Sequence, residues 1–146
     1  MPDLPPPLIS DVFEHCKLFD REDLQPTANR GWTFREVKPA KHSGWESAEP
    51  GSVFEFKVEG ERIFISWWCF RGAMGMASVT VDDGKPVVLD GWTSATWGGY
   101  RNTRAVATGL KPGMHTVKIE LLDKKHPEST GHQFRIQGIG SAGATR

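Results

Sequence analysis

Residues 90–102, DGWTSATWGGYRN, set three aromatic rings among side chains that donate and accept hydrogen bonds. Sugar rings present faces of C–H groups that pack on flat aromatic surfaces, while their hydroxyls need polar partners. Trp92, Trp97 and Tyr100 supply the surfaces, and Asp90, Thr93, Arg101 and Asn102 the partners. The combination suits a glycan. Tryptophans in a long loop also fold back to cap a core, and the sequence leaves both uses open. Trp67 and Trp68 are neighbours on an apolar run, so in a strand they point to opposite faces. One is expected in the core, and Trp68 joins the candidate platform. The expected ligand-binding set is therefore Trp92, Trp97, Tyr100 and Trp68 for stacking, with Asp90, Arg101 and Asn102 as polar partners. Trp32 and Trp45 are expected to pack inside.

Other reactive side chains fall short of a catalytic set. Asp123-Lys124-Lys125-His126-Pro127 has the Asp-x-x-His spacing by which an acid orients a base, but no Gly-Asp-Ser turn precedes it to supply a nucleophile. A solvated charged turn is the plainer reading. Ser141 lacks the glycine two residues before it that a nucleophile elbow needs, since Ile139 stands there. The five histidines, His15, His42, His115, His126 and His132, show no short spacing of the kind zinc takes. His115 reads as a structural residue near the Lys111-Pro112-Gly113 turn. Asp82, Asp83 and Asp90 carry hard oxygens suited to calcium, without an EF-hand-like spacing; the turn reading is preferred. Gly72, Gly75, Gly98 and Gly99 suit tight loops, but no helix or lysine follows to make a phosphate cradle. No catalytic residue and no cofactor is expected, structural calcium being the one addition these ligand types leave open.

The elements that must position these side chains are strands. In residues 53–58, Phe54, Phe56 and Val58 alternate with Glu55 and Lys57, the period of a half-buried strand. Glu59-Gly60 reads as a hairpin turn into residues 62–70, which are apolar on both faces apart from Ser66. Strands are further expected over 77–81, 86–89, 103–110 and 114–122, with Asp82-Asp83-Gly84 and Lys111-Pro112-Gly113 as turns. A last strand carries Phe134 and Ile136 inward, and the tail over 141–146 reads as frayed and flexible. Weaker strands are expected over 9–19 and around Trp32, Phe34 and Val37, followed by a loop over 38–50 that includes Gly44 and Trp45. Residues 1–8, with Pro5, Pro6 and Pro7, read as an arm or linker. The pattern predicts an all-β fold: a single β-sandwich of jelly-roll type over 9–140, with about eight or nine strands.

Composition narrows the partners. The chain has 146 residues, room for one core, and its 16 glycines and 10 prolines favour turns over long helices. Eighteen basic and eighteen acidic residues cancel, so no net field draws it to nucleic acid or to an acidic membrane surface. No apolar run is long enough to span a bilayer, and MPDLPPPLISDV lacks the regions of a signal peptide. The expected location is open: extracellular if the chain belongs to a secreted parent. Cys16 and Cys69 make no framework, although one disulfide between them is conceivable.

The series GSVFEFKVEGERI, ASVTVDDG, LKPGMHTVKIEL and FRIQGI, taken in order over residues 44–140, resembles the noncatalytic jelly-roll domain associated with SGNH-type carbohydrate esterases, a domain like a carbohydrate-binding module. The resemblance implies a module beside a hydrolase that acts on acylated glycans, binding carbohydrate or shaping the enzyme's cleft. Expected partners are thus a polysaccharide or oligosaccharide and an SGNH-type hydrolase domain. The alternative is a protein-interaction sandwich packed against that hydrolase, and a small hydrolase in its own right is the least favoured reading.

Overall fold

Alternation in the sequence becomes two antiparallel sheets packed face to face. A computed structural model describes residues 15–143. The proline arm, the first part of the expected strand over 9–19 and residues 144–146 lie outside them. The strands are β1 (Lys17–Asp20), β2 (Ala28–Arg30), β3 (Thr33–Arg35), β4 (Gly44–Ser47), β5 (Val53–Glu59), β6 (Arg62–Cys69), β7 (Met76–Val81), β8 (Val87–Asp90), β9 (Tyr100–Ala107), β10 (Met114–Leu121) and β11 (Phe134–Ala142). One sheet runs β3-β4-β11-β6-β9, with β1 also paired to β11, and the other runs β2-β5-β10-β7-β8. This is the expected all-β jelly-roll sandwich. Among the described residues it has eleven strands rather than eight or nine.

The extra strands are short ones that periodicity cannot reveal. β2 has three residues, and β4 recruits Gly44 and Trp45 from what reads as a loop, whereas β3 is the strand expected around Phe34. Gly44 fits there because a Cβ would stand 2.4 Å from the Ile136 carbonyl oxygen. β11 runs on to Ala142, so Ser141 and Ala142 are buried strand residues and not part of a frayed tail. The turn at Glu59-Gly60 is not a hairpin. β5 pairs with β2 and β10, whereas β6 pairs with β11 and β9, so the chain crosses from one sheet to the other at Gly60. A Cβ on Gly60 would come within 2.8 Å of the Ser141 Cβ, which is why the crossing takes a glycine.

Ile63, Ile65, Trp67 and Cys69 of β6 and Phe134, Ile136 and Ile139 of β11 face Phe54, Phe56, Val79, Val117, Ile119 and Leu121 across the sandwich. Full burial of each large side chain here contributes about 1.5–3 kcal/mol. Trp32 closes one side edge-on against Phe54 and Phe134, with ring centroids 6.3 Å away in both cases. Trp45 packs on Phe54 and donates its indole N–H to the Leu24 carbonyl at 2.7 Å. Both tryptophans are structural, as expected. Cys16 is exposed, beside Lys17 at the β1 end of the sheet, and Cys69 is buried at the far end of β6. At the ordinary strand rise they are about 20 Å apart, well beyond disulfide reach. No helix among the described residues is long and apolar enough to cross a membrane.

At the end opposite the long loops, His115 lies between two acceptors: Asp82 Oδ2 at 2.6 Å from Nδ1 and the Lys111 carbonyl at 2.6 Å from Nε2. Both ring nitrogens must donate, so the imidazole is held as the cation. Burial by itself lowers the His115 pKa, but the hydrogen bonds to Asp82 and Lys111 and the Asp82 charge together raise it. Asp82 is held low, first by the Thr116 backbone N–H and then by His115. Asp82 adopts a φ of 51°, the left-handed geometry that brings its carboxylate back to β10.

The histidine contribution is present in full below the ordinary imidazole value of 6.5 and is lost as pH rises through the elevated folded value. The aspartate contribution is present above the ordinary carboxylate value of 3.8 and is lost as pH falls through the depressed folded value. His115→Gln is expected to lower stability by about 2 kcal/mol between those two values. Thermal melts across pH should show the gap between wild type and variant shrinking above neutrality; a constant gap refutes the assignment.

Candidate functional site

The loops after β6, β8 and β10 meet at one end of the sandwich and are laced together by their backbones. Phe70 N–H donates to Gly91 O (2.9 Å), Gly91 N–H to Gly75 O (3.0 Å), Gly75 N–H to Gln133 O (2.7 Å) and Gln133 N–H to Ala73 O (2.8 Å). Buried Ser129 sits among carbonyls: its Oγ lies 2.5 Å from Met74 O and 3.0 Å from both Gly72 O and Gly131 O. Gly75 cannot carry a side chain in this packing, since a Cβ would stand 2.7 Å from the His132 backbone. The end is preorganised.

Beside it, the gap between the two sheets opens where edge strand β8 faces edge strand β9. A cleft of about 440 Å³ lies there, lined among others by Trp67, Asp90, Trp92, Tyr100, Asn102 and Arg104. Trp67 donates its indole N–H to the Asp90 carbonyl at 2.9 Å, and the Asp90 carboxylate accepts the Trp92 backbone N–H at 2.8 Å. Cys69 is at its floor, where burial pushes the thiol up to about 11, so it stays protonated and un-nucleophilic at neutral pH.

Tyr100, Arg101 and Asn102 begin β9 and are not loop residues, and this splits the expected set. Residues opposite one another across a ladder share a face. Cys69 opposes Tyr100, Trp67 opposes Asn102 and Ile65 opposes Arg104, so those β9 side chains project toward the gap between the sheets. Trp68 opposes Arg101, and both project outward from the six-stranded sheet. There Arg101 pairs with Asp20 at 2.6 Å. Trp68 is enclosed: His42 tilts over it with centroids 4.4 Å apart, Arg135 lies 6.0 Å above the ring, and a Cβ on Gly99 would stand 2.2 Å from its Cζ2. Arg135 and Gln137 hold the covering loop through the carbonyls of His42 (2.9 Å) and Lys41 (3.0 Å). The structure thus brings Asp90, Trp92, Tyr100 and Asn102 to one cleft, and sets Trp68 and Arg101 on another face.

The aromatic rings differ in how much face they offer. Trp92 stacks on His126 with centroids 3.8 Å apart and planes 7° off parallel. Trp97 stands 73% exposed, with Tyr100 as its ring neighbour at 5.7 Å. Phe70, exposed beside the same loops, has no place in the expected set; it ends an apolar strand whose outer limit the sequence does not mark. Arg104 is a second omission, legible only once β9 is known to start at Tyr100. The Asp-x-x-His spacing does not make a dyad: Asp123 approaches His132 at 3.4 Å, while His126 Nδ1 accepts the Glu128 backbone N–H at 3.1 Å. Among the described residues no three His, Cys, Asp or Glu side chains are grouped to hold a metal ion. Asp82 is engaged by His115 and by the Thr116 N–H.

No family model and no curated protein matches the chain. Solved structures do match. A two-domain esterase active on acetylated mannans, co-crystallized with mannopentaose, superposes with a TM-score of 0.81 at 18% identity, over 99% of this chain and 41% of that one. A family two carbohydrate esterase from Cellvibrio japonicus gives 0.60 at 15% identity, over 88% of this chain and 34% of that one. A family 6 carbohydrate-binding module from Clostridium cellulolyticum, in complex with xylose, gives 0.56 at 12% identity, over 86% and 95%. At such identities the likeness establishes the fold. The chain spans about two-fifths of the first esterase's length.

Ser129→Ala is expected to lower stability by about 1–3 kcal/mol, because buried carbonyls lose their donor. Hydrogen exchange should quicken at the amides of Gly75, Gly91 and Gln133 while β5 and β10 stay protected; uniform change, or none, refutes the lacing role.

Proposed function

We propose that the domain is a noncatalytic carbohydrate-binding accessory module, which takes a glycan at the laced loop end and along the cleft between β8 and β9. The observation that carries this reading is Trp97, a 73% exposed indole next to Tyr100, which lines a cleft whose walls also offer Asp90 and Asn102. An exposed aromatic surface rimmed by polar groups is the ordinary form of a sugar platform. Trp97 and Tyr100 stack on sugar rings, Trp92 lines the cleft with one face held by His126, and Asp90 and Asn102 bond hydroxyls. Trp68 and Arg101 serve as positioning residues, Trp68 as the bed for Gly99 and Arg101 as the tie from β9 to β1. The fold likeness to a module in complex with xylose and to an esterase co-crystallized with mannopentaose supports the ligand class.

A second reading has its own support in the chain's coverage of only part of two esterases. In it, Trp97 and exposed Phe70 pack against an SGNH-type hydrolase domain.

Titration calorimetry of the chain with mannopentaose, xylo-oligosaccharides and cello-oligosaccharides separates the two. Weak binding to at least one series is expected, since so open a site orders few groups on the ligand. Trp97→Ala should weaken it about tenfold, or about 1.4 kcal/mol. No binding to any sugar, with tight association to a hydrolase domain in sedimentation, overturns the first reading for the second.

A further inference from the structure

We infer that the cleft selects a glycan bearing a carboxylate, with Arg104 as the residue that recognises the acid; this rests on the glycan-binding reading above. Arg104 lines the cleft on the gap-facing side of β9, two positions along the same face from Asn102 and four from Tyr100. Its guanidinium is uncommitted. Arg21 and Arg101 pair with Asp20, and Arg35 and Arg135 with Glu46, whereas the Arg104 side chain has no ion pair or hydrogen bond among the described residues. Arg104 is the one cationic side chain among those that line the cleft.

The two ends of the cleft are chemically distinct. At one end Tyr100 and Trp92 give aromatic surface, and Asp90 uses one carboxylate oxygen on the Trp92 N–H, leaving the other to accept from a hydroxyl. At the other end Arg104 offers a planar fork of N–H donors, the geometry that matches a carboxylate. Tyr100 and Arg104 are about 13 Å apart along the strand at the ordinary rise, the reach of a di- or trisaccharide. A uniformly acidic chain would set a carboxylate against Asp90. The geometry therefore suits an oligosaccharide with a neutral ring at the Tyr100 end and a uronate at the Arg104 end. The competing role for an inward-pointing arginine on an edge strand is to block edge-to-edge pairing. That role needs no ligand.

The test compares calorimetric affinities for xylotriose, for xylotriose carrying one glucuronate, and for the latter after reduction of its carboxyl group, with wild type, Arg104→Gln and Trp97→Ala. Arg104 is exposed and unpartnered, so the variant should melt with wild type. The acidic sugar is expected to bind wild type about tenfold more tightly than its reduced form, with the advantage declining as salt rises. Arg104→Gln should erase that advantage, so that the acidic sugar and its reduced form bind the variant equally, and Trp97→Ala should weaken acidic and neutral sugars alike. Equal binding of the acidic and reduced sugars, or an advantage that survives Arg104→Gln, overturns the assignment while leaving glycan binding intact. An Arg104→Gln variant that aggregates with unaltered selectivity assigns the residue to edge protection instead. Binding of no sugar overturns the glycan reading and this inference together.

Discussion

The indole N–H of Trp67, 2.9 Å from the Asp90 carbonyl, joins an inner strand of one sheet to the last residue of the other sheet's edge strand. The cleft depends on this bond. A buried indole N–H left unpaired costs about 1–3 kcal/mol, so Trp67 fixes where β8 must end relative to β6. Asp90 then turns the chain, its carboxylate receiving the Trp92 N–H, and Phe70 N–H binds Gly91 O beside it. One inter-sheet contact thereby sets the floor of the cleft, the start of the aromatic loop and the separation of the two edge strands.

Strand parity does the next piece of work. Had residues 100–102 been loop, all three side chains could have turned to one ligand. As the first residues of β9 they alternate: Tyr100 and Asn102 face the gap, and Arg101 reaches Asp20 across the outer face. The same rule assigns Trp67 to the core and Trp68 to the outside, where a loop held by Arg135 and Gln137 covers it. Aromatic side chains in this domain thus serve two purposes. Trp32, Trp45, Trp67 and Trp68 spend their surface on internal contacts, and Trp97 keeps most of its surface in water.

Much of the sandwich is legible in the sequence because β5, β7 and β10 each bury one face, and a period of two then appears in the residue types. β6 is legible as a strand, though not its partners. Alternation reports which side chains go inside but not which sheet a strand joins, so a turn such as Glu59-Gly60 reads the same whether the chain doubles back or crosses over. The three-residue strand β2 is too short to show a period, and β4 carries a glycine demanded by a neighbour rather than by its own backbone. For the candidate site, residue types single out the segment that supplies Asp90, Trp92, Tyr100 and Asn102 to the cleft. They could not show that His126 would occupy a face of Trp92, since the two residues come from different loops.

An open edge between two sheets is a hazard as well as a candidate site, because unpaired backbone groups on β8 and β9 invite another strand. β9 meets that hazard with Arg101, Asn102, Thr103 and Arg104, a run poor in the apolar side chains that would reward pairing. Polarity that discourages a second strand is also polarity available to hydroxyl and carboxyl groups. The difference lies in direction: protection works with any charge along the strand, whereas recognition needs side chains aimed into the gap beside an aromatic surface. Tyr100, Asn102 and Arg104 share that direction because each opposes an inward residue of β6. Register with β6, fixed by burial of Ile65, Trp67 and Cys69, therefore determines which polar groups of the edge strand enter the cleft. A one-residue slip would turn Arg101 and Thr103 inward in their place. The core and the site are consequently specified by the same ladder.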